Sequence, residues 1–268
     1  MNIVFLFVLT LLMPVVHAET VKVDDISIKY NKIGQGEPIV LISGTGNPLD
    51  FWPRKLLEKL AENHTVITFD NRGIGNSTMG DKKFTIKQFA RDTDLFLSKL
   101  NITRTDILGY SLGGMIAQEL ALFSNKIDQL IIASSHCGGK QMVPASKEVI
   151  NILNDNKLTP TEKKQELRSA IYPKGFELPK SSEIVTDKAI LLQQKAIAEW
   201  EGTCDRLKDI NLETLVIVGK NDNFTPPLNS LLISKYIKGA WLIQTEGGHG
   251  TSRQDSKYAD IILLFLSR

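Results

Sequence analysis

Short, largely apolar runs recur along the chain, each spaced from the next by a stretch of helical periodicity or a turn. The runs are Pro38–Ile42, Val66–Phe69, Asp106–Leu108, Leu130–Ala133, Leu215–Val218 and Trp241–Ile243. A strand buried on both faces needs apolar residues at successive positions, not at every second one, so such runs read as central strands. Helical patterns fall at Lys55–Ala61, Ile86–Leu100, Met115–Phe123, Leu228–Ile237 and Tyr258–Leu266. Strand and helix in alternation predict an α/β fold, with a mostly parallel central sheet flanked by helices. Ahead of the first run, Val21, Val23, Ile26, Ile28, Tyr30 and Ile33 alternate with polar residues. That period of two predicts a pair of antiparallel edge strands turning near Asp24-Asp25.

The alternation stops between Gly138 and Asp205. Pro144, Pro160, Pro173 and Pro179 there punctuate charged, helix-favouring stretches, Thr161–Ile171 and Glu183–Trp200. The pattern predicts a helical cap of about residues 138–204, inserted into a core made of residues 19–137 and 205–268. The chain has 268 residues, enough for one substantial core. Its net charge of +2 is spread over 32 basic and 30 acidic residues, with no basic block dense enough to hold nucleic acid.

Residues Ile3 to Val16 are almost unbroken apolar and lead to Val16-His17-Ala18 before the charged Glu19. This reads as a signal peptide over residues 1–18 that is cut after Ala18, with export to a periplasm or the exterior. The run is short of the ~20 residues a bilayer span needs, so no stable membrane span is expected after cleavage. Its lack of Lys or Arg leaves a second reading, an uncleaved interfacial anchor. Two cysteines are too few for a thiolate metal site, and neither a metal nor a cofactor is expected. Cys137 lies where the chain leaves the core for the cap, and Cys204 where it returns. Both junctions feed neighbouring strands, which predicts a disulfide between them; two buried free thiols are the alternative.

The chemistry centres on Gly109-Tyr110-Ser111-Leu112-Gly113, between a predicted strand and a predicted helix. A serine on so sharp a turn takes a strained backbone, and flanking glycines avoid the collisions side chains would make. A serine hydroxyl needs a neighbouring base, and the base needs an orienting carboxylate. Of four histidines, His17 lies in the signal segment, His64 opens a strand and His136 sits at the cap junction. His249, in Glu246-Gly247-Gly248-His249-Gly250 after the last strand, is the candidate base. Asp222 follows the Leu215–Val218 strand, outside the carboxyl end where such sheets place functional groups, and is the candidate acid.

With the order Ser111, Asp222, His249 in place, the chain resembles the α/β-hydrolase superfamily, in its serine-nucleophile, capped, esterase-like and peptidase-like branch. The resemblance runs from Val21 to Leu266. Asp70-Asn71-Arg72-Gly73-Ile74-Gly75-Asn76-Ser77 is similar to the family's Asp-x-Arg-Gly-x-Gly-x-Ser loop, a structural element. The family's His-Gly-x after the third strand is replaced here by Ser43-Gly44-Thr45. The resemblance implies an oxyanion hole from the backbone amides of Thr45 and Leu112, and a pocket-wall position for Trp52. It implies a small-molecule acyl substrate, a carboxylic ester or a relative of one, cleaved through an acyl-enzyme. Two other readings remain open. A proline iminopeptidase-like aminopeptidase would need acids such as Glu183, Asp187 or Glu199 around a substrate amine. A non-catalytic ligand-binding protein would keep the fold without the chemistry.

Overall fold

The computed structural model describes residues 18–172, 176, 181 and 183–268. The segment read as a signal peptide lies outside them, except Ala18. A hairpin of β1 (Glu19–Val23) and β2 (Ile26–Ile33) comes first, and its turn holds Asp24 at φ 52°. The chain continues through β3 (Glu37–Ile42), α1 (Arg54–Ala61), β4 (His64–Phe69), α2 (Ile86–Lys99), β5 (Thr105–Tyr110), α3 (Leu112–Ala121) and β6 (Ile127–Ala133). Three helices follow, α4 (Lys147–Asn154), α5 (Pro160–Ile171) and α6 (Asp187–Ala198). The chain then closes with β7 (Glu213–Gly219), α7 (Pro227–Tyr236), β8 (Trp241–Thr245), α8 (Thr251–Gln254) and α9 (Tyr258–Leu266).

Among the described residues these strands form one sheet in the order β1-β2-β4-β3-β5-β6-β7-β8. β2 pairs antiparallel with both β1 and β4, and every other pairing is parallel. The apolar runs fill both faces of this sheet. Val40, Ile42, Ile107, Leu130, Ile132 and Val216 point into one layer, packed by Phe89 and Phe96 of α2, Ile116 of α3 and Ile233 of α7. Their neighbours Ile39, Leu41, Leu108, Ile131, Leu215 and Ile217 point into the other, against Leu56 and Leu60 of α1 and Ile262 and Phe265 of α9. Successive side chains of a strand face opposite ways, so a strand with helices on both sides must be apolar at every position.

In the segment between β6 and β7 the described residues form helices joined by loops, with no strand. Capping sets its element boundaries. The Thr159 hydroxyl accepts from the Glu162 amide, Glu162 reaches back to the Thr159 amide, and Pro160 opens α5. Thr186 accepts from the Ala189 amide and starts α6, so that helix begins after Glu183 and not at it. Cys137 and Cys204, at the two ends of the segment, are joined by a disulfide. Among the described residues no helix is long and apolar enough to cross a membrane.

Candidate active site

β5 lies inside the run of parallel strands, flanked by β3 and β6, and Ser111 follows its last residue. Ser111 adopts φ 55° and ψ −117°, the left-handed side of backbone space that disfavours any residue with a Cβ. The conformation is held from outside. The Ser111 amide donates to Ala133 O at 2.9 Å, and the Ser135 hydroxyl donates to Ser111 O at 2.8 Å. The glycines of the turn are there for contact. A Cβ on Gly113 would fall 1.9 Å from Ile42 O, and one on Gly109 would fall 2.3 Å from Gly113 O. α3 thus begins pressed against β3, with its first amides near the serine.

Two further strand ends bring partners to this serine. The turn after β7 carries Asp222 and the turn after β8 carries His249. His249 Nε2 lies 3.1 Å from Ser111 Oγ, and His249 Nδ1 lies 2.9 Å from Asp222 Oδ2 and 3.1 Å from Oδ1. Both Asp222 and His249 are buried, at 2% and 3% exposure. Burial pushes the Asp222 carboxyl up, but the adjacent imidazole and the hydrogen bonds it accepts from Thr225 outweigh that and hold it below the usual carboxylate range. It therefore stays ionised at neutral pH. With Nδ1–H donating to Asp222, Nε2 is left to accept the serine proton.

The surroundings of the imidazole were not named by the sequence. The Phe224 and Thr225 amides donate to Asp222 Oδ1 at 2.9 and 2.8 Å, and Thr225 Oγ1 donates to Oδ2 at 2.9 Å. The spacing of Asp222 to residues two and three further on is an aspartate-turn signature, so this part was available in principle. The rings of Phe224 and Tyr110 lie 4.9 and 5.2 Å from that of His249. Tyr110 stacks in turn on Phe51 at 5.2 Å. Trp52 is 3% exposed and meets Tyr110 edge to face at 6.3 Å, so it reaches the site through Tyr110 as part of the core.

Thr45 lies just beyond β3, on the loop that faces the start of α3. Neither its backbone amide nor that of Leu112 donates to another backbone group among the described residues. His136 lies three residues beyond β6, buried, and accepts from the Gly138 amide on Nδ1 at 3.1 Å. Burial, helped by the field of His249, pushes its imidazole down to about 4, so it is neutral at pH 7 with its proton on Nε2. His64 opens β4, at the amino end of that strand, whereas Ser111, Asp222 and His249 follow the carboxyl ends of theirs. The family loop at Asp70 is structural: Asp70 accepts from the Leu49 amide at 2.7 Å and the Asn76 amide at 3.0 Å. Among the described residues no group of three or more His, Cys, Asp or Glu is placed to hold a metal ion.

A mostly parallel sheet with a strained serine at its central strand-to-helix turn defines a class of hydrolytic architecture. Residues 37–198 match the model of the alpha/beta hydrolase fold family, more than half of the chain, and the chain belongs to that family. It is similar to 3-oxoadipate enol-lactonase 2 of Acinetobacter baylyi, 26% identical over 252 residues that cover 88% of this chain and 92% of that protein. A hydrolase from Pseudomonas aeruginosa superposes with a TM-score of 0.80 at 22% identity, over 94% of this chain and 98% of its own. The enol-lactonase from Burkholderia xenovorans superposes with a TM-score of 0.73 at 18% identity, over 93% and 100% of the two chains. At those identities the two solved structures bear on the fold.

Proposed function

We propose that this α/β-hydrolase is a serine hydrolase of small carboxylic esters or lactones, acting through Ser111, His249 and Asp222. The observation that carries the reading is the hydrogen-bonded series Asp222–His249–Ser111, at 2.9 and 3.1 Å, ending on a serine held at φ 55°. Ser111 Oγ attacks the acyl carbonyl and its proton passes to His249 Nε2. The amides of Thr45 and Leu112 receive the oxyanion, and the tetrahedral adduct collapses to an acyl-serine. The imidazolium returns its proton to the departing alkoxide. Water then repeats the sequence in reverse roles and releases the acid. Asp222 stays ionised throughout and fixes the imidazole tautomer. Similarity to an enol-lactonase along most of both chains supports including lactones with open-chain esters.

The aminopeptidase alternative has less support. Glu199 pairs with Lys83 at 2.7 Å, Asp187 accepts from the Thr161 amide at 3.0 Å, and Glu183 accepts from the Asn76 side chain. Each carboxylate is already engaged. The mechanism runs on these side chains and backbone amides, with a small acyl compound as the substrate. The same reading takes the protein as exported, and the Cys137–Cys204 bridge supports it because disulfides persist in oxidising compartments.

A panel of p-nitrophenyl esters, lactones and aminoacyl amides tests the substrate class. The reading expects turnover of short acyl esters or lactones well above that of the amides. Turnover of aminoacyl amides alone would replace it with the peptidase reading.

A further inference from the structure

The loop that carries Thr45 has an unusual means of support. The loop is closed on itself by two bonds and anchored at its far end by a third. Ser43 Oγ donates to Asn47 O at 2.6 Å, the Asn47 amide donates to Gly44 O at 3.1 Å, and the Leu49 amide donates to Asp70 Oδ1 at 2.7 Å. The tip is tied elsewhere. The Gly46 amide donates to Gln193 Oε1 at 2.8 Å, and Gly46 O accepts from Lys164 Nζ at 2.5 Å. These partners lie 147 and 118 residues away, on α6 and α5 of the segment inserted between β6 and β7. Gln193 is fully buried. Gly46 has φ +62°, and a Cβ there would meet Ile190 Cγ1, one turn before Gln193, at 3.2 Å. The tip is thus bonded on both sides of one residue and covered by α6.

We infer that Gln193 and Lys164 are positioning residues that complete the oxyanion site from the cap: they clamp Gly46 and so fix the direction of the neighbouring Thr45 amide. The inference rests on the oxyanion role proposed above for Thr45. Gln193 holds the Thr45–Gly46 peptide, which adjoins the Gly44–Thr45 peptide that carries the proposed donor N–H. A catalytic amide acts only if it is already aimed, because reorganising it during reaction would cost the stabilisation it supplies. In this chain, where Ser43 and not histidine follows β3, the inserted helices provide that aim. Seating of the cap and assembly of the hole then become one event.

The test uses the complete purified protein, p-nitrophenyl acetate and a fluorophosphonate probe. Gln193→Leu removes the acceptor, and Gln193→Glu keeps one. A displacement near 1 Å costs about 10²-fold, so Gln193→Leu is expected to lower kcat about 10- to 100-fold with KM changed less than about threefold. Gln193→Glu is expected to restore kcat to within about fivefold of the parent. Exchange of the Gly46 amide proton, read by NMR, should quicken in Gln193→Leu and stay slow in the parent and in Gln193→Glu. Parent-like kcat in Gln193→Leu, or equal damage in both variants, would overturn the clamp, the second marking mere packing. If Gln193→Leu does not fold, Lys164→Met at a more exposed helical position decides: a kcat loss of about 3- to 10-fold supports the clamp and an unchanged kcat overturns it. A parent protein that neither hydrolyses ester nor takes the probe would end the hydrolase reading, and Gly46 exchange would still decide the clamp.

Discussion

Thr225 sets how firmly the carboxylate and the imidazole are held together. Its hydroxyl donates to Asp222 Oδ2 at 2.9 Å and lies 3.3 Å from His249 Nδ1, while its amide donates to Oδ1 at 2.8 Å. Valine has nearly the same shape and keeps the amide but loses the hydroxyl. Thr225→Val is therefore expected to lower kcat about 5- to 20-fold, the equivalent of roughly 1–2 kcal/mol for one charge-assisted hydrogen bond. Steady-state ester kinetics check it, and an unchanged kcat would mean that the hydroxyl is not part of the working arrangement. At this scale the sequence was partly legible. Ser111, Asp222 and His249 each follow a recognisable strand, and the glycines around Ser111 and His249 mark those two turns further. Gln193 and Lys164 carried no signal, because their partner at Gly46 is more than a hundred residues away and nothing local distinguishes them from other helical residues.

Among the elements, the hairpin and α2 are locked together by one arginine. Arg72, 1% exposed, donates from Nε to Asp92 Oδ2 at 2.8 Å and from Nη2 to Asp25 Oδ1 at 2.7 Å. Its guanidinium holds the Asp25 carboxyl far below the usual carboxylate range. Removing one partner of a buried ion pair leaves the other charges uncompensated. Arg72→Met should thus destabilise the protein by about 3–5 kcal/mol, seen as a lower urea midpoint, although Arg72 touches neither Ser111 nor His249. A midpoint unchanged within error would show that the cluster is dispensable. The central strands could be read in advance because both of their faces are buried. The inserted helices could be read less well. α4 spans 8 residues with Val149 its one buried position, so its pattern does not rise above that of a solvated turn. The helix-favouring stretch runs from Glu183, but the Thr186 cap decides where α6 starts.

For the whole molecule, the bridge and the buried acids set stability. Cys137 and Cys204 are 67 residues apart in sequence, and closing such a loop restricts the unfolded chain. The double variant Cys137→Ala, Cys204→Ala is expected to lose up to about 4 kcal/mol in the chain-entropy account, measured by denaturant titration against the oxidised parent. No loss would mean that the bridge does not restrain the unfolded state. Burial, with Asp128 nearby, pushes the Asp106 carboxyl up to about 7. The native state therefore binds this proton more tightly than the unfolded chain does. Stability from this group is complete below the ordinary aspartate range near 4 and is lost as pH rises to about 7. Asp106→Asn keeps an acceptor for the Gln129 amide, so it should raise Tm at pH 8 and change it little at pH 4. An equal gain at both values, or a loss at pH 8, would contradict that balance.

If Ser111 is the nucleophile, covalent labelling will find it. The folded protein is incubated with a fluorophosphonate at pH 7.5, and the adduct is located by peptide mass spectrometry. One label per chain is expected, on Ser111, with ester hydrolysis lost in step. Ser111→Ala should take no label and lose turnover by several orders of magnitude while keeping the parent's Tm. A folded protein that takes no label, a label on another residue, or near-full ester hydrolysis by Ser111→Ala would contradict it.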